Sequence, residues 1–304
     1  MKAVQFAKYG DPDVLRVVEI DKPHAGAGQV RIAVHAAGVN PIDWKLRAGH
    51  MREMMPLTLP AGTGREAAGV VDEVGEGVNG VRVGDAVFGA GSATYAEYAV
   101  LSDWALKPST LSFEEAAGYP VAVETAIRII NQVGVQPGQT LLVSGASGGV
   151  GSAALQIARD RKIKVLATAS ERNLAYLSSL GATAVAYGEG LVERVRAFAP
   201  KGVDAALDLA GSGIIQELIA LTGAPQKVLS ITDFSASKYG VQVSGTPVNT
   251  AGALAEAARL FAAGAFHIPV AKVFSLATAA EAQTMSAAGH VVGKLVIKVG
   301  HEVT

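Results

Sequence analysis

A glycine-rich turn is the segment of this sequence whose residue types and spacing point most directly to chemistry. It follows an apolar run at 140–143, leads into a helical pattern at 149–161, and carries a glycine at every third residue. Such glycines allow a tight bend and a close approach of the backbone to an anion, toward which the first amide groups of the helix point. The pattern predicts a pyrophosphate site; the alternative is a structural strand-to-helix turn without a nucleotide. The residues of this predicted site are Ser144, Gly145, Ala146, Ser147, Gly148, Gly149, Val150 and Gly151, with Ala146 where the dinucleotide-binding pattern has its first glycine.

The end of the next predicted strand, 164–168, indicates the type of dinucleotide. A site for NAD requires an acidic side chain to hold the ribose hydroxyls, and Glu171 lies at about the right distance. The strand ends, however, at Ala169 and Ser170, and Arg172 follows. Because a 2′-phosphate needs space, a hydrogen-bond donor and a cation, these three residues predict NADPH as the cofactor. Glu171 is then interpreted as a first-turn helix acid, and the alternative role of Ser170 is that of a helix N-cap.

Short strands separated by turns are predicted for the first third of the chain. Clusters of glycine, proline and aspartate bound these apolar segments, which is typical of an antiparallel or barrel-like β domain. From Ser112 onward the pattern changes, because Ser112 and Glu115 form a capping box ahead of a helical run. Strands and helices then alternate, which predicts a parallel sheet built of βαβ units. The predicted strands of the β domain are 2–6, 14–20, 29–37, 67–74 and 96–100; the later strands are 140–143, 164–168, 184–186, 203–208 and 227–231, and the helices are 149–161, 171–180, 190–198 and 251–263.

The segment after His267 returns to strand-like sequence and ends in the apolar stretch 294–298. We interpret it as rejoining the first domain, so that the domain of alternating strands and helices is inserted within a mostly β one. The predicted fold is therefore α/β, with a mostly-β domain formed by 1–120 plus 265–304 and an inserted Rossmann-type, doubly wound parallel-sheet domain formed by 121–264.

Composition excludes several classes of function. The 304 residues carry 26 basic and 27 acidic side chains, which gives no electrostatic basis for binding nucleic acid or an anionic membrane. The chain has no cysteine, so disulfides, thiolate nucleophiles, iron–sulfur clusters and cysteine-ligated zinc are excluded. The charged N-terminal residues are unlike a signal peptide, and the uncharged stretch 129–158 is interrupted by polar and glycine residues unsuited to lipid. We therefore expect a cytoplasmic protein.

Short segments in a characteristic order match a known family over essentially the full length of the chain. They are, in chain order, 1–4 (MKAV), 38–45 (GVNPIDWK), 68–71 (AGVV) followed by Gly75, 84–87 (GDAV), 124–126 (ETA), the glycine turn, 181–182 (GA), 202–204 (GVD) and 293–294 (GK). In these segments the chain resembles the zinc-independent quinone oxidoreductase branch of the medium-chain dehydrogenase/reductase superfamily. The resemblance implies a GroES-like catalytic domain, an inserted nucleotide-binding domain, NADPH in the cleft between them, and a homodimer.

The resemblance also implies which residues contact the cofactor. Asn40 and Thr125 would flank the nicotinamide, and Ser170, Arg172 and Tyr187 would surround the adenosine phosphate. The remaining cofactor residues that it implies are Ser144 to Val150 at the pyrophosphate, Ala210, Ser230 and Ile231 at the ends of later strands, and Gly293 and Lys294 in a C-terminal turn that closes over the cofactor.

The positions that match the metal ligands of zinc-containing relatives predict that this chain holds no metal. They carry Asn40, Arg65 and, near Val121, no ligand of any kind, and these residues cannot form a three-ligand zinc site. The six histidines of the chain show no paired spacing. The chain also departs from many relatives at Val292, where they have arginine, and at Lys45, where they have an aromatic residue. The first departure concerns the contact by which the C-terminal turn closes, and the second predicts a different substrate pocket.

A site without zinc restricts the substrates that can be reduced. A simple ketone would lack its Lewis acid, whereas a conjugated acceptor spreads the arriving charge onto an oxygen that hydrogen-bond donors can stabilise. Asn40, Lys45 and Arg65 are the candidate catalytic donors. Their structural alternatives are a turn residue for Asn40, a solvated helix residue for Lys45, and an ion pair with Glu66 for Arg65. Asp43 is interpreted as an internal structural acid, and the proton source is left open, with solvent as one source.

The sequence thus predicts an NADPH-dependent, zinc-independent oxidoreductase that transfers a hydride to a quinone or another α,β-unsaturated carbonyl compound. Two alternatives stay open. One is an enoyl-thioester reductase, and the other is a dinucleotide-binding sensor or structural protein with little turnover. The expected partner is a small-molecule substrate, with no nucleic acid and no membrane, and the natural acceptor is not defined.

Overall fold

The computed structural model describes residues 1–300, which form two compact units. The first unit contains Met1–Val121, Thr250–Gly264 and the segment that starts at Ile268, and the second contains Ala122–Asn249 and Ala265–His267. The domain borders predicted from the sequence stay a prediction. Among residues 1–300, no helix is both long enough and apolar enough to cross a bilayer.

The described part of the chain contains fifteen strands and nine α-helices. The strands are β1 (Lys2–Phe6), β2 (Arg16–Glu19), β3 (Val30–Val39), β4 (Ala61–Gly62), β5 (Glu66–Val74), β6 (Ala86–Gly91), β7 (Tyr98–Leu106), β8 (Thr140–Ser144), β9 (Lys164–Ala169), β10 (Thr183–Ala186), β11 (Ala205–Asp208), β12 (Val228–Ser230), β13 (Gln242–Val243), β14 (Val270–Ser275) and β15 (Lys294–Lys298). The helices are α1 (Pro41–Arg47), α2 (Phe113–Ala117), α3 (Pro120–Val133), α4 (Gly149–Asp160), α5 (Leu174–Ser179), α6 (Leu191–Phe198), α7 (Ile215–Thr222), α8 (Thr250–Ala262) and α9 (Ala279–Ala288).

The first unit is built on mostly antiparallel strands. A small sheet has the order β2-β1-β4, and a larger one has the order β14-β15-β3-β5-β6-β7. Because β3 also pairs with β7, the strands β3, β5, β6 and β7 close into a barrel-like ring. Side chains alternate along β3, so Val30, Ile32 and Val34 are fully buried in the core of this unit. The mostly-β character predicted for this part of the chain is confirmed.

The second unit contains one parallel sheet of order β10-β9-β8-β11-β12-β13. Counted along the chain from β8, this is the strand order of doubly wound nucleotide-binding folds, in which ligands bind at the carboxyl ends where the order reverses. The sheet packs against α6 and α7 through a core that includes Leu142, Ala206, Val195 and Leu218. The predicted Rossmann-type fold is confirmed.

Helices α7 and α9 were not predicted from the sequence, and α1 was anticipated only in the alternative role of Lys45 as a helix residue. Helix α1 has only 7 residues, too few to show a period. Helix α9 has the sequence AAEAQTMSAA, whose alanines lie on every face and leave no apolar stripe. The segment after His267 is therefore β14, α9 and β15 rather than strand throughout. The helix predicted at 171–180 is a 3-10 turn, Glu171–Asn173, followed by α5.

Gly38 on β3 makes room for a buried carboxylate. A Cβ atom at this position would lie 2.1 Å from Glu66 Oε1 and 2.4 Å from the carbonyl oxygen of Ala117. Neither neighbour can retreat easily, because β3 is paired with β5, which carries Glu66, and the Ala117 oxygen belongs to the backbone of α2. Packing therefore dictates glycine at this position.

We expect Gly38→Ala to lower the free energy of unfolding by about 1–3 kcal/mol, the usual cost of overpacking a tight site. Urea unfolding of the full chain measures this change. Gly300→Ala serves as the control, since a Cβ atom there meets no other atom within 4 Å. An unchanged unfolding midpoint for Gly38→Ala would contradict the packing argument.

Candidate functional site

The predicted glycine turn joins β8 to α4 at the carboxyl edge of the parallel sheet. Ser144 ends β8 and is buried, Gly145 has φ +75°, and Gly148 is the N-cap of α4. The first intrahelical bond runs from the Ser152 amide to the Gly148 carbonyl oxygen, at 2.8 Å. The amide groups of residues 149–151 precede this bond and have no partner within the helix, as an anion-binding helix start requires.

The three spaced glycines of the turn have different reasons to be glycine. A Cβ on Gly145 would lie 3.0 Å from Ala210 Cβ, and one on Gly151 would lie 2.4 Å from the Ala146 oxygen. A Cβ on Gly148, in contrast, would have nothing nearer than the Gly145 oxygen at 3.9 Å. Close packing therefore explains Gly145 and Gly151, whereas Gly148 borders open space. The turn fits a dinucleotide pyrophosphate.

The three residues predicted to surround an adenosine phosphate share one corner of the second unit. Strands β9 and β10 pair in parallel up to Ala169 and Ala186, and the Tyr187 amide donates to the Ala169 carbonyl oxygen at 3.1 Å. Ser170 occupies the N-cap position of the following 3-10 turn, where its side chain makes no capping bond to the described residues. Arg172 is exposed on that turn, and 52% of Tyr187 is exposed.

A buried aspartate that the sequence analysis did not select orders the neighbouring loops. Asp208 ends β11, is 1% exposed, and accepts hydrogen bonds from the Ala210 and Gly211 amides at 3.2 and 3.0 Å. It also accepts from the Ser230 hydroxyl at 2.8 Å and the Thr232 hydroxyl at 3.0 Å. The Asp208 carbonyl oxygen, in addition, accepts from the Ile231 amide at 3.2 Å. Asp208 thus holds together three residues predicted to contact the cofactor, Ala210, Ser230 and Ile231.

Thr125 on α3 lies beside a buried ion pair within the second unit. Glu124 and Arg128 are bonded at 3.1 Å, and Arg128 Nη2 lies 3.4 Å from Thr125 Oγ1. Arg128 also donates to Ser244, and Glu124 accepts from the Val248 amide at 3.0 Å. The pair therefore fixes both the Thr125 hydroxyl and the loop after β13.

In the first unit, a buried carboxylate brings together Asn40 and Lys294. Glu66 is fully buried, and its Oε1 accepts from Asn40 Nδ2 at 2.7 Å and from Lys294 Nζ at 2.8 Å, while its Oε2 accepts from the Val121 amide at 2.7 Å. Lys294 Nζ also donates to Asn40 Oδ1 at 2.6 Å and to the Val39 carbonyl oxygen at 3.1 Å. All three ammonium hydrogens of Lys294 are thereby used inside this unit.

Three other residues of the first unit were predicted to belong to the site: Arg65, Lys45 and Gly293. The Glu66 carboxylate pairs with Lys294, so the ion pair between Arg65 and Glu66 that was considered as an alternative is wrong. Arg65 lies immediately before β5, which begins at Glu66. Arg65 and Lys45 are both half-buried. Gly293, with φ +76°, turns the chain into β15.

Asp43 on α1 is a second buried acid next to Asn40. Its Oδ2 accepts hydrogen bonds from the backbone amide of Asn40 at 2.8 Å and from the Tyr95 hydroxyl at 2.8 Å. Its Oδ1 has no hydrogen-bond partner among the described residues. Burial raises the pKa of Asp43 from 3.8 to about 6, and the two hydrogen bonds offset only part of this effect. Burial and the nearby Asp43 carboxylate also raise the pKa of Tyr95.

The described residues contain no group of three or more histidine, aspartate or glutamate side chains that could hold a metal ion. Asn40 stands at a position matching a zinc ligand of relatives, but its Oδ1 atom accepts a hydrogen bond from the Lys294 ammonium instead. Arg65, at the second such position, is a cation. This donor set does not fit zinc.

Family comparisons define the class of protein. The alcohol dehydrogenase GroES-like domain matches residues 26–109, and the zinc-binding dehydrogenase family matches residues 180–297. Together with the doubly wound parallel sheet, these matches define a member of the medium-chain dehydrogenase/reductase superfamily.

Comparisons with individual proteins narrow this class. The chain is 36% identical to the 2-methylene-furan-3-one reductase of Solanum lycopersicum over 248 residues, covering 74% of this chain and 63% of the reductase. It is 41% identical to the quinone oxidoreductase of Sus scrofa over 175 residues, or 56% and 53% of the two chains. It is 31% identical to the chloroplastic quinone-oxidoreductase QR1 of Triphysaria versicolor over 98% of both chains. Thus the chain spans between half and two thirds of the length of the first two relatives and nearly all of the third.

Solved structures agree with these relatives. The quinone oxidoreductase from Coxiella burnetii superposes with a TM-score of 0.85 at 32% identity over 99% of both chains. A mycobacterial Rv1454c structure complexed with NADPH gives a TM-score of 0.86 at 26% identity, over 98% of this chain and 100% of that one. The CurK enoyl reductase gives a TM-score of 0.87 at 26% identity, over 98% of this chain and 99% of that one. The chain belongs to the quinone oxidoreductase family of the medium-chain dehydrogenase/reductase superfamily.

The pKa of Asp43 gives a pH-dependent prediction. Because the pKa in the folded chain lies above 3.8, the carboxyl's contribution to stability is fully present below about pH 4 and is lost as the pH rises through 6. A pKa raised from 3.8 to about 6 corresponds to about 3 kcal/mol. We expect the free energy of unfolding of Asp43→Asn, which stays neutral, to increase by up to about 3 kcal/mol relative to the unmodified protein between pH 4 and pH 7.

Urea unfolding at several pH values measures this difference. Asp21→Asn, at an exposed position, controls for the removal of one negative charge. Parallel pH curves for the unmodified protein and Asp43→Asn would show that the Asp43 carboxyl does not titrate as its burial requires.

Proposed function

We propose that this protein is an NADPH-dependent oxidoreductase that transfers a hydride to a quinone or another α,β-unsaturated carbonyl compound without zinc. The observation that carries the proposal is the anion-binding turn at the start of α4, next to a corner that offers Ser170 and Arg172 instead of an acid. The relatives named quinone oxidoreductase support the reaction class. A homodimer, which the sequence resemblance implies, and a location in the cytoplasm are part of the proposal.

The cofactor would be held along the carboxyl edge of the parallel sheet. The amide groups of residues 149–151 would bind the pyrophosphate, and Arg172 and Ser170 would bind the 2′-phosphate. When bound, NADPH supplies the hydride, and the protein supplies position and electrostatics. The other residues proposed to contact it are Asn40, Thr125, Ser144, Gly145, Ala146, Ser147, Gly148, Ala169, Tyr187, Ala210, Ser230, Ile231, Gly293 and Lys294. For Lys294, only backbone atoms are available, because its ammonium is fully bonded within the first unit.

The choice of NADPH over NADH follows from the chemistry of one corner. A carboxylate at the end of β9 would hold ribose hydroxyls and repel a phosphate, but this position carries Ser170. Glu171 and Arg172 are the first two residues of the following 3-10 turn, and both are exposed. An exposed cation and a hydroxyl at this place favour a phosphate.

Hydrogen-bond donors in the first unit would stabilise the charge that arrives on the acceptor. The side-chain amide of Asn40 donates one of its two hydrogens to Glu66, which leaves the second as a donor for the acceptor. Lys45 and Arg65 would supply positive charge, and Glu66 and Lys294 would keep the Asn40 side chain in place. One hydride and one proton from solvent complete the two-electron reduction of a quinone to a hydroquinone, or of an enone to a ketone.

An enoyl-thioester reductase is the second candidate, and the similarity to the CurK enoyl reductase supports it. An enoyl thioester is also a conjugated carbonyl compound, so the same donors would stabilise its reduced form. The two candidates therefore differ in the acceptor and share the cofactor site.

We expect the unmodified protein to bind NADPH at least tenfold more tightly than NADH, because one hydrogen bond to a charged group is worth about 1.5–3 kcal/mol. Arg172→Met should remove most of this preference and leave NADH binding unchanged, as measured by fluorescence titration of the reduced cofactors. Glu171→Gln is the companion variant and should change neither affinity. Equal binding of NADPH and NADH by the unmodified protein would refute the assignment of Ser170 and Arg172.

An acceptor screen tests the reaction itself. Oxidation of NADPH, followed by its absorbance, should occur with benzoquinones, simple enones or enoyl thioesters, and should be absent with saturated ketones. Treatment with a chelator should leave the rate unchanged, because the donor set at Asn40 and Arg65 does not fit zinc. NADPH binding without turnover on any acceptor would favour a sensor or structural protein, and a chelator-sensitive rate would refute the metal-free mechanism.

A further inference from the structure

Arg194 on α6 binds the loop that precedes its own helix. Its Nε donates to the Ala186 carbonyl oxygen at 3.0 Å, its Nη1 to the Glu189 oxygen at 2.7 Å, and its Nη2 to the Gly188 oxygen at 3.1 Å. One planar guanidinium thus holds three carbonyl groups from four consecutive residues. We call this arrangement, formed by Arg194 with the carbonyl groups of Ala186, Gly188 and Glu189, the arginine clamp.

The loop is shaped to fit the guanidinium. Gly188 and Gly190 have φ values of +99° and +74°, a region that favours glycine. A Cβ on Gly190 would lie 3.1 Å from Arg194 Nη1, so the loop closes tightly around the side chain. Lysine offers a single ammonium point rather than a rigid fork and could not reproduce three diverging bonds of this kind.

Tyr187 lies within the arginine clamp. The residues on either side of it, Ala186 and Gly188, are both bonded to Arg194, and its own amide donates to the Ala169 carbonyl oxygen at 3.1 Å. The backbone of Tyr187 is therefore fixed on both sides, yet 52% of the residue is exposed to solvent. Because Ser170 directly follows Ala169, the exposed tyrosine is held at the corner that also carries the Ser170 hydroxyl.

We propose that Arg194 is a positioning residue for cofactor selection. By fixing the loop around Tyr187, the arginine clamp keeps an aromatic ring and a phenol hydroxyl in place beside Ser170 and Arg172. A phosphorylated adenosine ribose then meets a preformed corner and does not have to order this loop on binding, which lowers the free-energy cost of association. The inference rests on the proposed function, because it deepens the account of how that site prefers NADPH.

Binding of three ligands is compared: NADPH, NADH and adenosine 2′,5′-bisphosphate. The comparison distinguishes effects on the corner that would bind the 2′-phosphate from effects on the rest of the cofactor site. We expect Arg194→Met and Arg194→Lys to weaken binding of NADPH and of the bisphosphate by about tenfold and to change NADH binding by less than about twofold. Arg196→Met is the matched control, since it removes the same charge from an exposed position of the same helix and should leave all three affinities unchanged. Thermal unfolding of each variant reports whether the chain is folded.

Coupling to Tyr187 tests the route by which Arg194 acts. In a Tyr187→Ala background, Arg194→Lys should cause no further loss of NADPH affinity, because the ring that the clamp positions is already gone. Additive losses would overturn the inference, as would full NADPH preference in Arg194→Lys, which would show that charge alone suffices. Equal losses for NADPH and NADH would likewise overturn it, since they would indicate a general structural role.

The same titrations distinguish this inference from the proposed function. A preference for NADPH that persists in Arg194→Met and Arg194→Lys would overturn the positioning role alone. Equal affinities of the unmodified protein for NADPH and NADH would overturn the proposed cofactor and the positioning role together.

Discussion

The buried ion pair between Glu66 and Lys294 is the interaction on which the candidate site of the first unit depends. Their side chains are 0% and 5% exposed, and removing one partner of such a pair costs about 3–5 kcal/mol because the other charge stays buried. The pair joins β5 to β15, and through Asn40 and the Val121 amide it also holds the starts of α1 and α3. The orientation of Asn40 is thus a consequence of neutralising a buried charge, and the space left by Gly38 makes that burial sterically feasible.

The second unit uses a buried carboxylate in a different way. Among the described residues, Asp208 is bonded to amide and hydroxyl donors and to no cation. Its bonds tie the end of β11 to the end of β12, and they place Ala210 against Gly145 in the glycine turn. In both units a buried acid therefore orders the loops that carry candidate binding residues. Neither acid needs to contact a ligand in order to shape its site.

Local patterns were sufficient to predict the parallel sheet, the glycine turn and the capping box at Ser112, because each depends on residues close together in sequence. The network around Glu66 could not be predicted in this way, since Glu66 and Lys294 are 228 residues apart in the chain. Adjacency in sequence even suggested the wrong partner for Glu66, Arg65, whereas the carboxylate pairs with Lys294 on β15. One feature of the sequence could have indicated Asp208, namely an acid at the end of a predicted strand and three residues before Gly211. The four groups that donate hydrogen bonds to its carboxylate become apparent only in three dimensions.

The bonding of Asn40 limits the substrates that the proposed site can reduce. Its side-chain oxygen accepts from Lys294, and the charge of Lys294 is neutralised by Glu66, so neither group offers a strong electrophile to an acceptor. Hydrogen-bond donors such as the remaining Asn40 hydrogen polarise a carbonyl group less than a metal ion does. A saturated ketone would place the full arriving charge on the oxygen of the carbon that is attacked. A quinone or an enone instead moves that charge through its conjugated bonds to a distant oxygen, and this intrinsic stabilisation is what a donor set without a Lewis acid requires.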